Sequence, residues 1–323
     1  MSDDDWAFPH SLQPGADDVR FDLDDALNAV VMLRAEVPDD AFTASGLGTE
    51  RIGNGVVIDD DGLVVTIGYL IAEANSIWLT TNSGRTVAAY VLAYDHITGF
   101  GLVRAVEPLD ATVLQRGTAD SCQPGDEVYV ISQGGRPHAL KASLIDKREF
   151  AGYWEYLLDE ALFTTPAHPQ WGGAALVGAG GELLGVGSLL VQEAIGGEQV
   201  QGNMLVPIDL LNDTIDELLA TARSPMQPRP WIGMFTVEAD GRLVVSGTSR
   251  RGPAAKAGMQ SGDVILEVDG ERVSTLARML SAIWKLGRPG VTVPLTIARS
   301  GQVRHCKIES ADRNDFLKKP VLH

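Results

Sequence analysis

The chain is short of positive charge, of cysteine and of long apolar runs, and each shortage removes a class of function. Lys and Arg number 26 against 43 Asp and Glu, a net charge of −17, and no basic stretch with interleaved aromatics is left to meet phosphates. Nucleic acid is therefore not an expected partner. The two cysteines, Cys122 and Cys306, lie far apart and in different expected domains, so they read as small core residues in a reducing compartment, not as a disulfide framework. No stretch approaches the roughly 20 apolar residues of a membrane span. The opening Met1-Ser-Asp-Asp-Asp-Trp-Ala-Phe8 lacks the basic and apolar regions of a signal peptide. The expectation is a cytoplasmic protein, periplasmic only if the sequence is a processed or truncated piece. Asp59-Asp60-Asp61-Gly62 has no downstream ligand set and reads as a hairpin turn instead of a calcium loop. No metal and no cofactor are expected.

What is present suffices for several cores: 45% hydrophobic residues over 323 positions predict two or three packed domains. Residues 1–21, rich in Asp, Pro and Gly, read as a flexible acidic arm in which Trp6 and Phe8 are the apolar exceptions. From Phe21 to Arg34, apolar residues at helical spacing follow acidic residues suited to a helix N-terminus, and predict an amphipathic helix. Short strands bounded by turn residues then run to Pro207, with a closing helix over 210–223. Ser224-Pro-Met-Gln-Pro-Arg-Pro230 is a semi-rigid linker. A last compact region spans 231–310, and 311–323 form a tail that ends Pro-Val-Leu-His.

The organising stretch is Phe163-Thr-Thr-Pro-Ala-His-Pro-Gln-Trp-Gly-Gly-Ala-Ala-Leu-Val177. It resembles the nucleophile loop of trypsin-like serine proteases of the HtrA/Deg family, Gly-Asn-Ser-Gly-Gly-Pro-Leu. On that frame Trp171 takes the place of the nucleophile, Gln170 that of the Asn before it, and Pro169 that of the Gly whose amide helps form the oxyanion hole. Acyl transfer of this kind needs a hydroxyl or thiol and backbone donors for the oxyanion. Trp171 offers no such nucleophile and Pro169 has no N–H. The loss of one donor alone costs about 100- to 1,000-fold in rate.

The other two triad positions are also substituted. Gly53-Asn-Gly-Val-Val-Ile-Asp-Asp-Asp-Gly-Leu-Val-Val-Thr66 resembles the family's Gly-Ser-Gly-Val-Ile-Ile-Asp hairpin, but Tyr69 stands where the general-base His follows. A phenol titrating near 10 is a poor base at neutral pH. Asp95-His-Ile-Thr-Gly-Phe-Gly-Leu-Val103 resembles the segment bearing the orienting Asp, with Gly99 in its place. Asp95, His96 and His168 are the candidates for a relocated triad, but the loop holds no Ser or Cys to go with them. No catalytic residue is expected.

Gly252-Pro-Ala-Ala-Lys-Ala-Gly258 with Gly262-Asp-Val-Ile265 and Asp269-Gly270 resembles a protease-type PDZ domain. The resemblance implies a mostly β chain: a trypsin-like double six-stranded antiparallel barrel with an N-terminal helix over 22–223, a linker over 224–230, and a PDZ domain over 231–310. It further implies that Trp231, Ile232, Gly233 and Met234 form the carboxylate-binding loop, that the strand from Phe235 pairs with a peptide, and that Leu276, Met279, Leu280 and Ile283 supply the groove helix. About half of that stripe is expected to line the pocket. The function implied is that of an inactive pseudoprotease that binds peptides or protein C-termini as a scaffold in protein quality control, alone, as a homotrimer through Trp6 and Phe8, or with active HtrA paralogues. An active serine endopeptidase with a rebuilt site and a holdase chaperone are the alternatives.

Overall fold

The structure, a computed structural model, describes residues 6–195 and 198–318. The described residues pack as two units: those up to Arg148, those between Glu160 and Pro225, and Lys318 form one, and Glu149–Asp159 with Met226–Leu317 form the other.

The first unit holds two closed barrels. Strands β1 (Val30–Glu36), β2 (Glu50–Val57), β3 (Leu63–Ile67), β4 (Ser76–Thr80), β5 (Thr86–Tyr94) and β6 (Phe100–Ala105) close in the order β1-β2-β3-β6-β5-β4. Strands β7 (Glu127–Ile131), β8 (Ala139–Gly152), β9 (Tyr156–Thr165), β10 (Ala175–Val177), β11 (Leu183–Ile195) and β12 (Glu198–Pro207) close as β10-β11-β12-β9-β8-β7. Closure removes the free edges that an open sheet would expose. The turn Asp59–Gly62 joins β2 to β3, with the Asp59 carboxylate accepting the Leu63 N–H at 2.7 Å and Gly62 at φ 74°.

Three expectations are corrected here. The helix read over 21–34 stops early: Leu23–Asn28 is helical, capped by Asp22 accepting the Asp25 N–H, and Val30–Glu36 is the first barrel strand. Ala29, Val30, Val31 and Leu33 are almost wholly buried, so this apolar run has core on both faces, and burial outweighs helical spacing. The arm also packs in its described part. Phe8 and Leu12 lie against the second barrel's core, and the Phe8 N–H donates to Pro137 O at 3.0 Å. Apolar area buried by these side chains offsets the entropy that acidic composition alone would leave uncompensated. Residues 1–5 and the chain end at 319–323, including the Pro-Val-Leu-His terminus, lie outside the described residues. Finally, the closing helix is two pieces, Asp209–Asn212 and Ile215–Thr221, separated at Asp213-Thr214.

The second unit is built on an antiparallel sheet of β13 (Met234–Ala239), β14 (Arg242–Thr248), β15 (Val264–Val268), β17 (Thr292–Arg299) and β18 (Gln302–Glu309), in that order, with the short β16 (Glu271–Arg272) on β15. The helix Leu276–Lys285 starts at Thr275, whose hydroxyl accepts the Arg278 N–H, and the Glu238 carboxylate at the end of β13 accepts the Leu276 N–H at 2.6 Å. Both contacts satisfy first-turn amides that a helix cannot bond internally. Leu276, Met279, Leu280 and Ile283 of this helix are buried in one cluster with Ile232 and Met234. In this unit β13 is the edge strand of the sheet, paired with β14. Cys306 packs on this core and Cys122 lies in the second barrel; both are free thiols.

Candidate functional site

Two places hold the residues singled out in the sequence, one in each unit. In the barrel unit β3 ends in the turn Gly68–Leu70, which carries Tyr69. Its hydroxyl donates to Ser188 O at 3.0 Å. Burial drives the phenol's ionisation well above its ordinary range, with the neighbouring Trp171 side chain pulling more weakly the other way. Tyr69 is thus held as a neutral phenol beside Trp171.

Gly99 lacks more than a carboxylate. Its φ of 91° is one that L side chains rarely adopt, so an aspartate placed there would be strained. The turn is fixed by Gly99 N–H to Asp95 O at 2.7 Å and by Gly68 N–H to Gly99 O at 2.7 Å. The Asp95 carboxylate accepts the Ile97 N–H and the Thr98 and Ser224 hydroxyls, so it acts as a turn cap. His168 is fully buried, donating through Nε2 to His138 O at 2.8 Å and accepting the Gln170 N–H at Nδ1 at 3.0 Å. Both ring nitrogens are engaged in the neutral form, and burial pushes its pKa down to about 4. Neither Asp95 nor His168 is arranged as an orienter or base for a nucleophile.

The loop 169–173 is laced to the first barrel by Asn54. Its backbone N–H donates to Gly172 O at 2.8 Å, its side-chain amide donates to Gln170 O at 2.9 Å and to Gly172 O at 3.1 Å, and its Oδ1 accepts the Gln133 N–H. Gly173, at φ 76°, approaches so closely that a Cβ there would lie 1.9 Å from Asn54 O. The tight glycine turn is therefore required by packing against Asn54. Among the described residues no cluster of three or more His, Cys, Asp or Glu is placed to hold a metal ion.

In the second unit Trp231 and Ala311 exchange backbone hydrogen bonds, which pins the start of the loop Trp231–Met234. The Ile232 carbonyl accepts the Ala254 N–H, that of Gly233 accepts the Ser249 N–H, and Gly233 takes φ 69°. With carbonyls turned inward and the middle residue left-handed, the Ile232 and Met234 N–H groups point outward as an anion-binding pair. That pair is engaged by Glu155: its carboxylate accepts the Ile232 N–H at 3.0 Å and the Met234 N–H at 2.8 Å. Phe235, next along, is half-buried beside the Tyr153 ring, 6.0 Å between centroids.

Comparison with known proteins agrees with both halves. Residues 53–186 match the trypsin-like peptidase domain and residues 230–309 the PDZ domain. A DegP-like probable periplasmic serine endoprotease of Halomonas elongata is 24% identical over 85% of this chain and 60% of its own length. The serine endoprotease DegS of Haemophilus influenzae is 26% identical over 80% of this chain and 76% of its own. Solved structures of the HtrA-type protease AlgW with a tripeptide and with a decapeptide cover 92% and 93% of this chain, and 96% and 100% of their own, at TM-scores of 0.50 and 0.51 and at 20% and 18% identity. These structures show the shared fold.

The chain is HtrA-like.

It spans about 60% of the length of the DegP-like relative. Within this HtrA-like frame the structure brings Tyr69 and Trp171 together and leaves Gly99 as a backbone turn bonded to Gly68. It places all four groove-helix residues in the PDZ core. Sequence reading missed two residues. Asn54 had a signal, because it stands where the resembled hairpin reads Gly-Ser-Gly. Glu155 had none, since its partners lie 77 and 79 positions downstream.

Proposed function

We propose that this HtrA-like protein is catalytically silent and acts by binding peptides or protein C-termini in its PDZ groove, as a scaffold or client-binding protein in protein quality control. The observation that carries the reading is Tyr69 beside Trp171: the positions that align with base and nucleophile in the resemblance hold a buried phenol, kept neutral and donating to Ser188 O, and an indole. Pro169 removes an oxyanion donor as well, and Gly99 turns at a φ unsuited to the orienting aspartate. The AlgW structures, of the same fold, were solved with a tripeptide and a decapeptide, which favours peptide binding in this reading. Assembly as a homotrimer or with active paralogues, and a cytoplasmic location, belong to the same proposal.

The names of the relatives favour a second reading, an active serine endopeptidase. It requires a nucleophile outside the positions described above. Incubation of the purified chain with an unfolded protein substrate and a chelator separates the two. Silence predicts no products over hours; cleavage abolished by a serine-reactive probe would overturn it, and the labelled residue would identify the nucleophile.

A further inference from the structure

The hairpin tip that joins β8 to β9 packs in the PDZ unit, and its contacts there have the pattern of a bound peptide. A PDZ ligand presents a terminal carboxylate to the loop amides, pairs its backbone with the edge strand, and buries a side chain in the pocket beside the helix. Each requirement is met by residues of this chain. The Glu155 carboxylate takes the Ile232 and Met234 N–H groups. Two residues earlier, the Tyr153 carbonyl accepts the Thr236 N–H at 3.1 Å. Met234 and Thr236 are alternate residues of β13, so their amides point to the same free edge, and the spacing Tyr153 to Glu155 matches the spacing Thr236 to Met234 in the antiparallel sense. Leu157 supplies the buried side chain, in the same cluster as Ile232, Met234, Leu280 and Ile283. The chain continues past Glu155 because that residue takes φ 63°, which turns the backbone away and leaves the side-chain carboxylate where a chain end would stand.

We propose that the segment Tyr153–Leu157 is an internal ligand of the PDZ groove, with the Glu155 side chain standing in for a terminal carboxylate, so that an external peptide with a free C-terminus and an aliphatic last residue binds by displacing it. The inference rests on the reading of this groove as a peptide site. Energetics favour displacement over permanent closure. A left-handed non-glycine residue is costly, and burial pushes the Glu155 carboxyl up to about 7, with the Ile232 and Met234 amides and Arg313 pulling it back. The internal ligand is therefore under strain, whereas a chain terminus reaches the same amides without the turn.

The test uses the full chain and a fluorescein-labelled peptide Phe-Ala-Gly-Tyr-Trp-Leu, which copies the hairpin sequence and ends in leucine with a free acid. Its amidated twin is the control. Glu155→Gly removes the carboxylate while suiting the left-handed backbone; Glu155→Gln keeps the side-chain shape and is the fallback if the glycine variant does not fold. Fluorescence anisotropy is expected to show the free acid binding the variant about ten-fold more tightly than the parent, the factor for a groove open in one parent molecule in ten, with the amide binding neither. Hydrogen exchange at the Ile232 and Met234 amides, read without peptide, is expected to quicken in the variant. Faster exchange with no peptide binding would keep the internal ligand and sink the peptide-site reading. Unchanged exchange, or equal affinity of parent and variant for the free acid, would overturn the proposal.

Discussion

The loop 169–173 of the barrel unit and the loop Trp231–Met234 of the PDZ unit are both engaged by the protein's own groups, in different ways. In the barrel unit the proposed silence lies in side chains: at the triad positions of the resemblance stand Trp171, Tyr69 and Gly99 instead of Ser, His and Asp. In the groove the chemistry belongs to backbone amides, which substitution does not remove except by proline. Those amides persist at Ile232 and Met234 and are masked by Glu155. Side-chain chemistry is erased by point changes, while backbone chemistry must be covered, and a cover can be lifted.

The largest expected effect probes why the cleft keeps its frame. Gly173→Ala would drive a Cβ to 1.9 Å from Asn54 O at a φ of 76°, and its loss of stability, read by urea unfolding of the barrel unit, is expected to exceed about 4 kcal/mol. Asn54→Ala strips partners from Gln170 O, Gly172 O and the Gln133 N–H and is expected to cost about 3 kcal/mol in the same measurement. If either substitution were neutral, the glycine turn would not be a packing device.

A comparable effect comes from pH. His168 has a folded pKa depressed to about 4 from 6.5, so the neutral ring contributes stability that is complete above 6.5 and is lost as pH falls toward 4, by at most about 3 kcal/mol. Protonation at Nδ1 breaks the Gln170 contact. Unfolding followed from pH 7 to 4 is expected to show a fall that is shallower in His168→Asn; parallel curves would mean that the ring's burial does not control the loop. Next in size is the ten-fold gain in peptide affinity at Glu155→Gly, worth about 1.4 kcal/mol. The smallest expected effect is none: Trp171→Ser alone gives no cleavage of an unfolded substrate, because Tyr69, Gly99 and Pro169 remain. Detectable cleavage by that variant would show that a hydroxyl suffices.

Much of this contrast was legible in the sequence because it resides in local motifs. Glycine-bounded turns, the Pro-Ala-Ala-Lys-Ala-Gly segment and the stripe from Leu276 to Ile283 each carry their structure within a few residues, and both barrels and the PDZ sheet formed where those signals lay. The first strand was hidden because a run buried on both faces, Ala29 to Leu33, satisfies helical spacing as readily as strand pairing. The arm at Trp6 and Phe8 was hidden because its partners, His138 and His168, are remote in sequence; Trp6 stacks on His138 at 4.6 Å and Phe8 meets His168 at 5.0 Å. Glu155 was hidden for the same reason, compounded by its type: a glutamate in a hairpin turn has the look of a solvated charge, and only the fold shows amides waiting for it.

The comparison is tested most directly by saturating the Glu155→Gly chain with the free-acid peptide and assaying cleavage of an unfolded substrate. This state has the groove engaged by an outside chain and the hairpin released. The account predicts that peptide binds and the substrate stays intact. Peptide-dependent cleavage, blocked by a serine-reactive probe, would contradict it and return the cleft to catalysis.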